Sequence, residues 1–279
     1  LDAARGVITA SAVIPLQAKS FFSSMPSMSA ARAGILPAVV GTLLVMLVTM
    51  LLAIPLGVAA GVYLEEYAPH NRITALIEIN IANLAGVPSI IWGLAGLALF
   101  IFAMGFERSI LAAGLTLGLL VLPIVIIATR EAIRSIPNTI REASIGLGAT
   151  KWQTTRHHVL PYSISGILTG AIIAMSRAIG ETAPLVCIGA VVFITYLPPA
   201  PVGHVTNDAG VSELQVQPTA WLNSKFTVVP MQIFDWVSRP QPEFHANAAA
   251  ASIVLVVLTL GLNGIAIAIR YHTRKSIKW

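Results

Sequence analysis

Arg141–Pro161 reads REASIGLGATKWQTTRHHVLP. The stretch is polar and basic, and it lies between two long apolar runs. Its pattern is a short helix, a glycine break at Gly148, a second short helix, and a proline at Pro161 that restarts the chain. A segment of this kind between apolar runs lies in water, and it is too patterned for a plain linker. It reads as a docking element for a protein at the membrane surface.

Composition sets the solvent for the rest. The chain has 279 residues, of which 56% are hydrophobic and 10% charged, with mean hydropathy +0.81. A soluble domain carries about 25% charged residues, so polar surface is too scarce here to solvate a globule and the solvent is lipid. The formal charge of +5 does not signal nucleic acid, because the basic residues are clustered at loops. A single cysteine, Cys187, excludes an internal disulfide and a multi-cysteine metal site. It sits in an apolar run and reads as packing.

Working outward, uncharged runs give the spans. Residues 35–62 carry no formal charge over 28 positions, enough to cross a hydrocarbon core of about 30 Å with tilt. Pro55 is an expected kink there. Tyr63–Arg72 is a polar turn. Residues 73–85 contain Glu78, Asn80 and Asn83 and read as an amphipathic entry helix, broken at Gly86-Val87-Pro88-Ser89. Residues 87–106 are then expected to span. A break at membrane depth must be buried in protein or face water, because lipid cannot satisfy free backbone groups. Residues 109–129 span again with a kink at Pro123. After the central loop, residues 159–176 are uncharged, and the run continues to about Leu197 with a bend or stop at Pro184. Residues 198–245 form a long polar segment, with Trp221, Phe226, Phe234 and Trp236 as expected interfacial aromatics. Residues 246–269 are the last span, and a basic tail follows.

Lysine and arginine placement gives the orientation. The central loop holds five basic residues and the tail four, which is 9 of the 17 in the chain. The 198–245 loop is net −2. The loop at 130–158 and the tail are therefore expected in the cytoplasm, and the 198–245 loop outside. The same count puts the N-terminal segment, residues 1–34, outside, where a preceding span must deliver it. The expectation is an all-α polytopic transmembrane bundle over 35–279, with five spans here and six in the full protein.

A second constellation lies inside a span. Arg177 and Glu181 follow 18 uncharged residues, and their four-residue spacing puts them on one helix face. The rise from Pro161 to Arg177 is about 24 Å, at or beyond midplane. Each intramembrane charge costs about 2.5–3.5 kcal/mol on insertion scales, so the pair faces protein or a water-filled path. Two readings stay open. The pair neutralises itself and fixes helix packing, or Arg177 is an anion site that Glu181 holds when empty. Ser89 and Thr182 could donate to an anion at helix ends. Glu78, Asn80 and Asn83 could line the passage, although a polar face on an interfacial helix explains them as well. His157 and His158 read as solvated. The chain has no GxxxxGK[ST], HExxH, GxSxG or metal-spaced Cys/His set, and so no recognisable nucleotide or catalytic site.

The central loop resembles the EAA motif of ABC importer permeases: EAA, three residues, Gly, nine residues, Ile, one residue, Leu-Pro. Glu142-Ala143, Gly148, Leu160 and Pro161 match, while Ser144 replaces the third alanine and His158 the isoleucine. SRAIGETAPL at 176–185 is similar to the phosphate importer permease family PstA. So are GILPAVVGTLL at 34–44, YLEEYA at 63–68, NLAGVPSIIWGL at 83–94 and SRPQPEF at 238–244. The resemblance implies the type I ABC importer permease fold and a multi-pass protein of the bacterial inner membrane. It implies phosphate import by alternating access, with Arg177, Glu181, Thr182 and Ser89 along the substrate path. It also implies an ATPase docking site at Glu142, Ala143, Ser144, Gly148 and Lys151. The implied partners are a PstC-like second permease, a PstB-like ATPase dimer that binds ATP and magnesium, and a PstS-like phosphate-binding protein. This chain would then hold no cofactor and would not itself be an enzyme. The alternatives are a permease for sulfate, molybdate or another oxyanion, and an ion-coupled secondary transporter.

Overall fold

A computed structural model describes residues 21–200, 202–206 and 212–276. A 27-residue helix, α1, spans Leu36–Val62 with Pro37 in its first turn, where a missing N–H costs nothing. It runs on through Pro55 and loosens into a wide π turn at Tyr63–Tyr67, closed by Ala68 N–H to Tyr63 O at 2.8 Å. Helix α2 spans Arg72–Ala85, capped by Asn71 Oδ1, which accepts from Thr74 N–H at 2.8 Å. Gly86 ends it, and α3 begins after Pro88, spanning Ser89–Gly96 and continuing as a π stretch through Ala103. The axes of α2 and α3 differ by 105° across this break.

Helix α4, Ile110–Arg134, follows a Ser109 cap. Two short helices come next: α5, Asn138–Gly146, and α6, Lys151–Thr154. The latter passes through a π turn at Thr155–Val159 into α7, Leu160–Gly180, so that Lys151–Gly180 is one 30-residue rod. A six-residue α8 covers Ala183–Ile188. A hairpin follows, β1 (Val202–Thr206) against β2 (Ser212–Val216), antiparallel with Val202 opposite Val216 and Thr206 opposite Ser212. Helix α9 spans Val229–Ser238, and α10 runs over 35 residues, Pro242–Ser276.

The packed body is α1, α4 and α7, with α4 between the other two. Val45, Val48, Ile110 and Leu117 share one core cluster with Leu185 and Ile188. Met46, Ala53, Leu120, Val121 and Val125 share another with Ala174 and Ala178 of α7. Small residues let backbones approach. A Cβ on Gly61 would fall 2.7 Å from Thr129 Cβ, and one on Gly166 2.5 Å from Ala132 Cβ. Lipid offers helices no hydrophobic drive to associate, so such close contact is what holds them. Thr49 Oγ1 lies 2.8 Å from Val45 O and 3.2 Å from Gly114 O, satisfying a buried hydroxyl between α1 and α4.

Among the described residues, four helices are long and apolar enough to cross a membrane: Leu36–Tyr67, Ile110–Arg134, Lys151–Gly180 and Pro242–His272. Counting the bent pair α2–α3 as one span gives five. The sequence reading places a span at 87–106, preceded by an amphipathic entry helix. The helical part is Ser89–Ala103, about 22 Å long at 1.5 Å per residue, too short alone for a core of about 30 Å. Across the 105° bend α2 turns away from the axis of α3 and adds no depth to it, the geometry of a broken span or a re-entrant loop. One correction concerns the 198–245 segment, which holds the hairpin and α9 and is not a plain polar loop. Phe226 and Trp236 are not interfacial; both are buried, Phe226 against Val45 and Val48, Trp236 against Ile35, Ala38 and Phe244. Residues 1–20 of the N-terminal segment lie outside the described residues.

Candidate functional site

The central loop is tied together by its own polar groups. Thr150 accepts from Gln153 N–H at 3.3 Å while Gln153 Oε1 accepts from Thr150 N–H at 2.8 Å, a complete capping box that starts α6. Gly148 joins the two short helices with φ +89°, the left-handed region that favours glycine. Ser144 is buried, its Oγ 2.9 Å from Thr154 Oγ1, so it ties α5 to α6 and does not face outward as a docking residue. Glu142, Ala143, Gly148 and Lys151 are exposed. Lys151 Nζ lies 5.3 Å from the centre of the Tyr67 ring.

Between these exposed polar groups stands an apolar patch that sequence reasoning passed over. Leu147 is 91% exposed, and Ile145 and Trp152 are more than half exposed. Apolar side chains on the outer face of a hydrogen-bonded loop mark an interaction surface. The signal was present: Ile145 and Leu147 flank Gly146 in an otherwise polar run.

Arg177 lies in the last turn of α7 and Glu181 just beyond its end, in extended backbone. Their closest atoms are Arg177 Nε and Glu181 Oε1 at 3.5 Å. Arg177 Nη1 also reaches Ala85 O at 3.4 Å, the carbonyl end of α2 at the break. A cation at a helix C-terminus is favoured there. Both contacts are long, so the guanidinium keeps donor capacity for a stronger acceptor. The middle of α3 and the start of α8 are pressed together: a Cβ on Gly93 would lie 2.6 Å from Pro184 Cα. Ser89 opens α3 and Thr182 precedes α8, both half-buried, and neither side chain has a hydrogen bond among the described residues. The structure thus gathers Arg177, Glu181 and the α2–α3 break. Beside them Ser176 Oγ sits 3.0 Å from Asn263 Oδ1 of α10, a polar contact the sequence did not suggest.

Glu65, Glu66, Glu78, Arg130 and Arg141 were also missed as a group. Arg130, 8% exposed, lies 3.2 Å from Glu65 and 2.6 Å from Glu78. Arg134 Nε is 2.8 Å from the other oxygen of Glu65. Arg141 forks onto Glu66 at 2.8 and 3.0 Å and donates to the carbonyls of Ile133 and Ile136. These residues come from three distant parts of the chain, so no local spacing reveals them.

A bundle sewn by small residues, with a helix pair bent sharply beside a cation and a hydrogen-bonded polar loop between two long apolar helices, has the make-up of a transmembrane permease subunit. Residues 53–278 match the family described as binding-protein-dependent transport system inner membrane component, and the chain belongs to that family. It is 32% identical to the phosphate transport system permease protein PstA 1 of Mycobacterium tuberculosis over 238 residues, 85% of this chain and 71% of that protein. It is 39% identical to the probable ABC transporter permease protein YqgI of Bacillus subtilis over 165 residues, 59% of this chain. The match spans little more than half of YqgI, 56% of its length. The fold is that of a subunit of the inward-facing MetNI methionine ABC transporter, with TM-score 0.61 at 17% identity, covering 84% of this chain and 93% of that one. The chain is an ABC importer permease, a multi-pass protein of the inner membrane.

Proposed function

We propose that this permease moves inorganic phosphate, driven by ATP hydrolysis in a partner subunit. The observation that carries the reading is Arg177, a guanidinium at the broken span whose present acceptors are both at 3.4–3.5 Å. A tetrahedral oxyanion offers shorter, charge-assisted bonds to the same fork. The similarity to PstA 1 supports phosphate among the oxyanions. Glu181 is the internal counter-ion that the substrate displaces, and Thr182 and Ser89 supply neutral donors at its flanks.

The exposed face of α5 and α6, with Glu142, Ala143, Leu147, Gly148 and Lys151, docks on an ATPase dimer in the cytoplasm. Nucleotide-driven closure of that dimer pushes the loop, and the broken span opens alternately outward and inward. A second permease of the same family completes the path, and an external phosphate-binding protein delivers the anion. The test is uptake by proteoliposomes holding the assembled transporter. Arg177→Ala is expected to abolish phosphate uptake while the complex assembles at normal yield. Normal uptake in that variant would leave Arg177 a packing role only. Equal inhibition by sulfate and phosphate in the wild type would replace phosphate by a broader oxyanion class.

A further inference from the structure

Helix α2 is the first half of the bent pair, and only Thr74 of its 14 residues is buried. Ile73, Leu76, Ile77 and Ile79 lie exposed on it. Apolar interlocking therefore does not fix its position, and polar contacts do. At its start Thr74 Oγ1 donates to Pro69 O at 2.7 Å. At its end Ala85 O meets Arg177. In the middle Glu78 receives Arg130 Nη2 at 2.6 Å. The helix is an arm pinned to the packed body by two arginines.

The body side of the Arg130 pin leads to the docking loop. Arg130 also holds Glu65, which lies in the π turn that ends α1. The next residue, Glu66, is gripped by Arg141 of α5. Arg141 in turn bonds the carbonyls of Ile133 and Ile136, where α4 gives way to the loop. The contacts form an unbroken series: α5, Arg141, Glu66, Glu65, Arg130, Glu78, α2, and then Ala85 O against Arg177. A π turn is a weak point in a helix, and such turns concentrate at functional sites. Here the turn carries both carboxylates that join the loop to the arm.

We propose that Arg130 is a positioning residue for transport, passing displacement of the docking loop through Glu65 and Glu78 to the α2 arm beside Arg177. The proposal rests on the docking reading above and adds the route by which the push reaches the substrate path. Contiguity alone does not establish coupling, so the test reads coupling itself. Phosphate uptake and ATP hydrolysis are measured together in proteoliposomes containing all subunits and the external binding protein. Glu78→Gln keeps the shape of the side chain and removes its charge; Arg130→Met removes the fork. Both are expected to lower phosphate moved per ATP hydrolysed by about tenfold, with hydrolysis per assembled transporter retained. Arg130→Lys keeps the charge without the fork and is expected to recover part of the loss.

Spin labels at Asn80→Cys and Ile173→Cys should report a nucleotide-dependent distance change that Arg130→Met removes. If uptake and hydrolysis fall together with the amount of complex assembled, and their ratio is unchanged, Arg130 is a structural pair and the proposal is overturned. A retained distance change in Arg130→Met overturns it as well. Leu147→Asp separates the two readings. Should it leave ATPase docking intact, the docking reading fails. Should it break docking while Glu78→Gln and Arg130→Met keep the normal ratio, only the relay fails.

Discussion

The left-handed turn at Gly148 allows a graded test of the docking loop. Its φ of +89° is available to glycine at no cost, whereas a side chain there costs about 1–2 kcal/mol. Nothing lies within 4 Å of where a Cβ would sit, so substitution adds strain without a clash. The loop relieves that strain by leaving the left-handed region, which swings α5 away from α6 against the Ser144–Thr154 contact. If the docked shape is the strained one, its population falls by about 5- to 30-fold, and apparent affinity for the ATPase falls by the same factor. The order is set by tolerance of positive φ: Asn loses least, Ala more, and β-branched Val most. The assay titrates purified ATPase onto permease complexes in nanodiscs carrying Gly148→Asn, Gly148→Ala and Gly148→Val. Because the loop lies outside the packed body, thermal unfolding of the bundle should stay at the wild-type value in all three. Equal weakening by Asn and Val would point to bulk on the docking face, and wild-type affinity in the Val variant would refute the backbone argument outright.

Two further predictions concern the supports of these sites. Ser144→Ala leaves Thr154 Oγ1 buried without its partner, a cost of about 1–3 kcal/mol; hydrogen exchange over residues 143–149 should quicken while exchange in α4 is unchanged. Gly93→Ala drives a methyl toward the Pro184 backbone, an overpacking cost of about 1–3 kcal/mol. It should lower the melting temperature of the detergent-solubilised complex, and an unaltered melting temperature would mean that α3 and α8 do not touch as described.

The spans α1, α4, α7 and α10 were legible because each contains a long uncharged run, and composition alone excludes water as their solvent. The glycine at 148 was legible because a helix–turn–helix in a polar loop needs one residue in the left-handed region. The broken span was half legible. Gly86 and Pro88 announce a break, but the 105° turn across it belongs to the fold, where α3 rests against α8. Ser144 looked like a surface residue of a motif; that its hydroxyl turns inward is settled by Thr154, ten residues on. Trp236 and Phe226 looked interfacial because aromatics near a polar segment usually are. The start of α9 folds that segment back onto α1, where Thr42 Oγ1 accepts from Val229 N–H at 3.0 Å. Glu78 looked like the wet side of a surface helix, and only the fold brings Arg130, 52 positions on, against it.

The way Arg130 is shared bears on how an arm can move in a low-dielectric body. Removing one partner from a buried ion pair is expensive, about 3–5 kcal/mol, because a charge is left alone. Arg130 has two carboxylate partners on different elements. If α2 withdraws Glu78, Glu65 still neutralises the guanidinium, and the cost of the step drops. Glu65 also serves Arg134, so its removal takes a partner from two cations on α4 at once, leaving Arg130 to Glu78 and Arg134 to the longer contact with Glu131 at 3.6 Å. The two carboxylates should therefore behave differently although both contact Arg130. Glu65→Gln is expected to lower the melting temperature and depress uptake and hydrolysis in parallel, since it weakens the body. Glu78→Gln is expected to leave the melting temperature near wild type and to change the uptake-to-hydrolysis ratio alone. The measurement is thermal unfolding of each purified complex beside its two activities. Were both variants to lose stability alike, α2 would be part of the rigid body and not an arm that Arg130 can release.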